Sequence, residues 1–371
     1  MGRHRILVHG TGRVALAIAN MLATDPRFDI TLAGPEPELR QPAPPRHPSV
    51  RRGAHSLHAM PEAELAALSA IIMAGDVWAG TADIAAIARR LGCHYLDISE
   101  NPETCTEIAA LAQGAAGGFA PGCGLAPGYV TALAAETMRR AGPGARVAVH
   151  VGVLPARRIN RLGYGNLLGV DGLMVEYFRP CLAIRQGRQV MLPPLSEAES
   201  VALAGETFES FTTAGSLDAL VRAPGVAVES LVFKTLRYPG HLDYMRFLID
   251  DLGLAQRRHQ LRSLLLNGLP LIEEDRVLIA LDVRRGNGAR ERFEQIITAR
   301  PGPGDSWCGA GVTATAAHVC AMADLLCHGA LARRGFLSQA EVAPRLLAQS
   351  PFFAPLLHPE ARPVANGIAH G

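Results

Sequence analysis

Aromatic residues make up only 5% of the 371-residue chain, and the formal net charge at pH 7 is only +2. Few rings means few platforms for stacking single-stranded bases. A near-neutral balance removes the field that draws a protein to a polyanion or an anionic membrane. No CxxC pair occurs, and the seven cysteines are odd in number. Neither a disulfide framework nor a thiolate zinc site is signalled. His318, Cys320, Cys327 and His328 lie close together on an expected C-terminal helix. They lack the paired spacing of zinc ligands, so they read as helix-face and core positions, and no metal is expected. No run approaches a membrane span, and the N-terminus lacks the apolar stretch of a signal peptide. The expectation is a cytoplasmic protein with no nucleic-acid or membrane partner. Hydrophobic residues account for 49%, enough for two buried cores, which suits the two domains suggested by the length.

The chain opens on strand, glycine turn and helix. Ile6-Leu7-Val8-His9 reads as a short buried strand, Gly10-Thr11-Gly12-Arg13-Val14-Ala15 as the turn, and Leu16 to Leu22 as the helix. A dinucleotide site needs this order. Gly10 permits the tight turn, Gly12 lets backbone N–H groups approach a pyrophosphate, and Ala15 allows close helix–strand packing. The helix N-terminus adds its partial positive charge. A second strand is expected over 29–33. An NAD-preferring site would end it on an acid for the ribose 2′-hydroxyl, but Gly34 stands there. Glu36 is near, as are Arg40, Arg46, Arg51 and Arg52, so NAD and NADP both remain open. Candidate coenzyme contacts are Gly10, Thr11, Gly12, Arg13, Val14 and Gly34, with Gly75, Asp76 and Asp97 on the rim formed by later strand ends.

Up to about Ala120, short apolar strands alternate with Ala-rich helical patterns, as in a parallel sheet with crossovers. Strands are expected at 70–74, 94–98 and from 118, with a helix over 81–91. Ligands of such sheets sit at the carboxyl ends of the strands, which gathers Gly75, Asp76, Asp97, Ser99, Glu100 and Cys123 on one rim. Gly122 to Gly128 is a second glycine-rich turn before a helix at about 129–140. It reads as a hinge, as a close backbone approach to a ligand, or as both. Beyond Arg146 the pattern becomes largely antiparallel: strands at 146–154, 206–212 and 226–235, and hairpins over 182–191 and 276–299. Helices are expected at 242–252 and 256–266. After Pro303 an Ala-rich helical pattern returns, at about 313–333, and is expected to pack back on the first domain. The expected class is α/β, with domains at 1–125, 126–303 and 304–371.

The densest chemistry is in Lys234-Thr235-Leu236-Arg237-Tyr238-Pro239-Gly240-His241. A turn needs only the Pro-Gly pair. The cations, phenol and imidazole suit recognition of a carboxylate, which the arginine fork grips bidentately. Arg237 is the candidate for that contact; alternatively it pairs with an acid such as Asp243 or Asp250. His241 and Lys234 are acid/base candidates, His241 because it titrates nearest neutrality. Asp97 and Glu100 either bind a substrate amine or cap local structure around Ser99, Asn101 and Pro102. Cys123 is a candidate backbone contact rather than a nucleophile. Tyr164 and Asn160 either line the pocket or pack the core.

The segments HYLDISE (94–100), GCGLAPGYV (122–130), VGVLP (151–155), the stretch over 163–177, ESFTTAGSLDAL (209–220) and KTLRYPGH (234–241) resemble saccharopine dehydrogenase-like oxidoreductases in their order. The branch of lysine 6-dehydrogenase and bacterial saccharopine reductases is the most similar. The resemblance covers nearly the whole chain. It implies an N-terminal Rossmann parallel sheet, a second α/β domain with a mixed sheet, and a C-terminal helix closing back. It also implies NAD(P)-dependent chemistry on a C–N bond in amino-acid metabolism, a small amino-acid substrate and a homodimer. Oxidative deamination of the side-chain amine of lysine or a related diamino acid is the first expectation. Reductive condensation of an amino acid with an aldehyde or 2-oxoacid, and an NAD-recycling transferase or cyclodeaminase, are the alternatives. Glu176 and Tyr177 match the family pattern. The aromatic-Ser pair usual in the stretch after Gly163-Tyr164 is replaced by Leu168 and Gly169, so the substrate is expected to differ while the reaction class stays.

Overall fold

The computed structural model describes residues 3–35, 46–75, 80–99, 101–167, 169–215, 218–221, 223, 227–301, 307–331 and 334–357. They divide into two compact units, one built from 1–133 with 312–357, the other from 134–300 with 309–311.

The first unit holds strands β1 (His4–His9), β2 (Phe28–Ala33), β3 (Arg51–Arg52), β4 (Ala70–Met73), β5 (His94–Asp97) and β6 (Gly118–Ala120). They run in the spatial order β3-β2-β1-β4-β5-β6, and Gly335–Phe336 adds at the β6 edge. Every described pairing is parallel, for example Ile6 against Ile30 on one side and Ala70 on the other. Strands covered on both faces carry unbroken apolar runs, and Ile6, Leu7, Val8, Ile71 and Ile72 are wholly buried. Between β1 and β4 the order reverses direction, the switch point where ligands of doubly wound sheets bind. Helices Arg13–Ala23 and Thr81–Leu91 cross between strands, the latter with the bounds its periodicity predicts.

The long helix Ala310–Cys327 is apolar and long enough, by composition alone, to cross a membrane, which corrects the expectation that no run reaches that length. It is 89% buried, so its apolar surface is core. Its start is held by Asp275, whose carboxylate accepts from the backbone N–H groups of Ala310 and Gly311.

The second unit carries β7 (Arg146–Pro155), β8 (Cys181–Arg185), β9 (Arg188–Leu192), β10 (Glu199–Leu203), β11 (Glu206–Thr212), β12 (Ser230–Arg237), β13 (Asp275–Arg284) and β14 (Arg290–Thr298). The path is β10-β11-β12-β7-β13-β14, with the β8-β9 hairpin joined to β12. Only β12 with β7 is parallel among the described pairings of this sheet. The expected hairpin turn holds: Gln186 and Gly187 both take left-handed φ, 53° and 72°, as a two-residue loop between twisted strands requires. The α/β class with one parallel and one mixed sheet is therefore as expected. Elements that escaped the reading include β3 and the helix Pro102–Leu111 in the first unit, and here β10 and the helix Val170–Phe178. That helix starts after Gly169, at φ 111°, without a side-chain cap, so no N-terminal signal marks it. The expected helix over 242–252 is two pieces, His241–Arg246 and a π turn over Phe247–Asp251.

Candidate functional site

The glycine turn leaves no room for side chains. Gly10 has φ 138°, and a Cβ there would sit 2.5 Å from the carbonyl oxygen of Ala74. Gly34 has φ 131°, and its Cβ would meet the Gly10 nitrogen at 2.9 Å. Both conformations favour glycine. Backbone bonds from Gly10 to Ala33 (2.7 Å) and from Ala74 to His9 (2.8 Å) draw the ends of β1, β2 and β4 together. Gly12 caps helix Arg13–Ala23 without a side-chain bond, and no acid stands in the first turn. The helix N–H groups and their partial positive charge are thus left for a phosphate. The Thr11 hydroxyl donates to the carbonyl of Pro35 and pins the turn. Arg13 and Val14 follow, half-buried, and Gly75 succeeds Ala74 beside Gly10. Asp76, Glu36, Arg40 and Glu100 lie outside the described residues. Of the arginines that follow Gly34 in the sequence, Arg51 bonds Asp29 at 3.0 Å and Arg46 donates to the Val50 carbonyl.

At the end of β5, Asp97 is 1% exposed. Its Oδ1 accepts from the N–H of Ser99 (2.8 Å) and Gly122 (3.0 Å), and its carbonyl accepts from Cys123 N (2.6 Å). Asp97 Oδ2 has no partner at full hydrogen-bond geometry among the described residues, although the Tyr95 hydroxyl is near enough to pull the carboxyl down. Burial raises this carboxyl to about 6, against the pull of the two backbone N–H groups. Cys123 is buried; its Sγ receives Gln339 Nε2 at 3.0 Å and its carbonyl receives His318 Nδ1 at 3.0 Å. Burial pushes its thiol up, which removes it as a nucleophile, and its backbone N–H and carbonyl are taken by Asp97 and His318. His318 was read as a helix-face or core residue and Gln339 was not singled out; nothing near either in sequence points to Cys123, 195 and 216 residues away.

The second unit brings Arg237, His241, Tyr164 and Asn160 into one cluster. Arg237, 3% exposed, donates from Nε to Tyr177 Oη (3.0 Å), from Nη1 to Thr235 Oγ1 (2.6 Å) and the Leu236 carbonyl (3.0 Å), and from Nη2 to Glu176 Oε2 (3.2 Å). Its acid is Glu176, not Asp243 or Asp250. The Tyr164 ring lies 4.7 Å from the guanidinium carbon, a cation–π placement. Asn160 holds the Tyr164 backbone: Nδ2 donates to its carbonyl at 2.9 Å. His241 is wholly buried, with Nδ1 2.9 Å from the Leu162 carbonyl and Nε2 2.7 Å from Tyr177 Oη. A carbonyl only accepts, so Nδ1 carries the proton, Nε2 accepts from the tyrosine hydroxyl, and that oxygen accepts from Arg237. Burial first, and then the Arg237 charge, lower His241 to about 3, so the ring is neutral.

Both nitrogens of His241 are therefore engaged, Nδ1 with Leu162 and Nε2 with Tyr177, which in turn accepts from Arg237. Glu209 fixes the ring's backbone, accepting from Gly240 N at 2.9 Å and Leu242 N at 2.5 Å.

Lys234 is the correction. Successive strand residues face opposite sides, so Lys234 projects from the side of β12 opposite Thr235 and Arg237. Its Nζ donates to Glu199 Oε1 (2.6 Å) and the Glu197 carbonyl (2.7 Å), tying β10 and the turn before it to β12. It is the only lysine in the chain, a signal the sequence offered and the reading passed over.

No family model matches the sequence. The structure is similar to apo, histidine-tagged saccharopine dehydrogenase (L-Glu forming) from Saccharomyces cerevisiae, with TM-score 0.71 over 95% of this chain and 97% of that one at 14% identity. It is less similar to a meso-dapdh mutant with DAP from Clostridium tetani (TM-score 0.48, 10% identity, 94% and 97% covered). The same holds for C. glutamicum DAP dehydrogenase in complex with DAP (TM-score 0.46, 13% identity, 95% and 97% covered). The chain has the fold of saccharopine dehydrogenase.

Proposed function

We propose that the protein is an NAD(P)-dependent oxidoreductase acting on a C–N bond of an amino acid, most directly the oxidative deamination of the side-chain amine of lysine or a related diamino acid. The observation that carries the reading is the glycine-walled turn at the switch point, where Gly10 and Gly34 leave backbone alone facing the N-terminus of helix Arg13–Ala23. That cradle fits a dinucleotide, held by Gly10, Thr11, Gly12, Arg13, Val14 and Gly34. The coenzyme, when bound, supplies hydride transfer.

The chain's residues do the rest. Arg237, its charge fixed by Tyr177, Thr235 and Glu176, anchors the substrate carboxylate. The substrate nitrogen must lose a proton before its lone pair supports loss of hydride from carbon. A free ammonium titrates near ~10.4, so a base is needed; within the first unit, Asp97, raised by burial to about 6, is a carboxyl able to take a proton near neutrality. Water then attacks the iminium carbon, ammonia leaves, and the aldehyde remains. His241, neutral and doubly bonded, is a positioning residue for Arg237.

The reductive direction, condensing an amino acid with a 2-oxoacid, is favoured by one observation: a structure similar at TM-score 0.71 is a saccharopine dehydrogenase (L-Glu forming). The purified protein is mixed with NAD+ or NADP+ and a panel of amino acids, and separately with NADPH or NADH, an amino acid and a 2-oxoacid, at 340 nm. A signal with a diamino acid supports deamination, and one only in the second mixture supports condensation. Silence in both rejects the oxidoreductase reading.

A further inference from the structure

Arg237 has five N–H groups, and four are taken by Tyr177, Thr235, the Leu236 carbonyl and Glu176. The fifth, on Nη2, has no partner among the described residues, and it lies beside Glu176. The pair is unequal: the Arg237 side chain is 4% exposed and that of Glu176 24%. The carboxylate is thus the more exposed end of a largely buried ion pair; burial raises its pKa, against the pull of the Arg237 charge and hydrogen bond. A second carboxylate arriving at Nη2 would set two anions against one cation in a poorly solvated place, an arrangement that burial penalises. An ammonium on the same ligand removes the penalty by pairing with Glu176.

The spacing sets where that ammonium must be. Nη2 and Glu176 Oε2 are 3.2 Å apart, so the ligand's two charges must also be neighbours. An α-amino acid carries them on adjacent carbons; an amino acid with its only amine at the chain end does not. Thr213 is a buried residue next in the chain to one that bonds Glu176. It is 2% exposed and its hydroxyl has no partner among the described residues. The next residue, Ala214, donates its N–H to the Glu176 carbonyl at 3.1 Å. Buried hydroxyls are normally satisfied.

We propose that Glu176 is the specificity-determining residue of this site: it takes the α-ammonium of an amino acid whose carboxylate goes to Arg237, and its charge rejects carboxylates that lack the amine. The inference rests on the reading of Arg237 as carboxylate anchor. It leaves a side-chain amine free to react and assigns the α-amine to recognition.

The test measures binding by calorimetry, with and without NADP+, using norleucine, 2-hydroxyhexanoate, hexanoate and 6-aminohexanoate, none of which has both an α- and a side-chain amine. The wild-type protein should bind norleucine at least about tenfold tighter than the other three. Glu176→Gln should bring the ratio of norleucine to hexanoate below about threefold, and Glu176→Asp should keep most of it. Equal wild-type binding of norleucine and 2-hydroxyhexanoate, or no binding of either, overturns the proposal without any variant having to fold. An unchanged ratio in folded Glu176→Gln overturns it too. Arg237→Met should lose all four ligands; if it binds norleucine as the wild type does, the carboxylate anchor itself is wrong.

Discussion

Tyr177 Oη stands 2.7 Å from His241 Nε2, and this contact orders a proton arrangement running from Arg237 through the phenol and imidazole to the Leu162 carbonyl. Tyr177→Phe leaves the buried nitrogens of His241 and Arg237 each short of a partner. Stranding such groups costs about 1–3 kcal/mol each. The expected result is a lower urea midpoint and a raised KM for a carboxylate substrate, with kcat less affected. An unchanged midpoint and KM would show that the chain of bonds does not hold Arg237.

His241 titrates at about 3 in the fold, below its ordinary value of ~6.5. Between those values the unfolded chain binds a proton that the folded one refuses, so stability falls as pH drops from ~6.5 toward 3 and is fully present above that window. His318, lowered to about 4 by burial, acts in the same direction. Asp97, raised to about 6, opposes both: its folded form holds the extra proton between 6 and ~3.9, so its contribution improves on acidification. The loss on changing His241 to Asn should therefore be larger at pH 7 than at pH 4.5. Urea unfolding of both proteins at the two pH values checks this, and an equal loss would contradict a neutral His241.

Asp275 holds the first N–H groups of helix Ala310–Cys327. Asp275→Ala removes an acceptor from a helix start and should cost about 1–2 kcal/mol, with Asp275→Asn losing less. Thermal unfolding followed by far-ultraviolet circular dichroism reads the difference. No change in Tm would mean that this start is satisfied in another way.

Gly10→Ala places a methyl 2.5 Å from the Ala74 carbonyl oxygen in a backbone conformation with φ 138°. The strand ends must separate, so both Tm and dinucleotide affinity should fall, the latter by more than about tenfold. Retention on an immobilised dinucleotide compared with wild type reads the second effect. Normal retention by a folded variant would move the coenzyme away from this turn.

Lys234→Met should lower stability by about 1–2 kcal/mol through the loss of the bonds to Glu197 and Glu199, while leaving KM for a carboxylate substrate unchanged. Steady-state kinetics beside a urea titration separate the effects. A collapse of kcat with stability intact would return Lys234 to the chemistry.

Much of the first unit was legible because its physics is local. Buried parallel strands are continuous apolar runs, and the turn glycines sit where strand gives way to helix, so β1, β4 and helix Thr81–Leu91 were read nearly to their ends. Asp97 and Cys123 were legible as neighbours because strand ends gather on one rim. Their partners His318 and Gln339 were not, because a contact across some 200 residues leaves no trace in spacing. Lys234 was misread for a subtler reason. It stands three residues before Arg237, and an odd offset in a strand sends the two side chains to opposite faces.

The sequence by itself determined the class of architecture and the place of the first glycine turn, since hydrophobic period, glycine position and helix polarity act over a few residues. Only the tertiary structure decided which groups meet Arg237. Glu176 and Tyr177 reach it from a helix some 60 residues away, and burial there, a property of the whole packed unit, keeps His241 neutral and leaves Glu176 as the more exposed end of the pair.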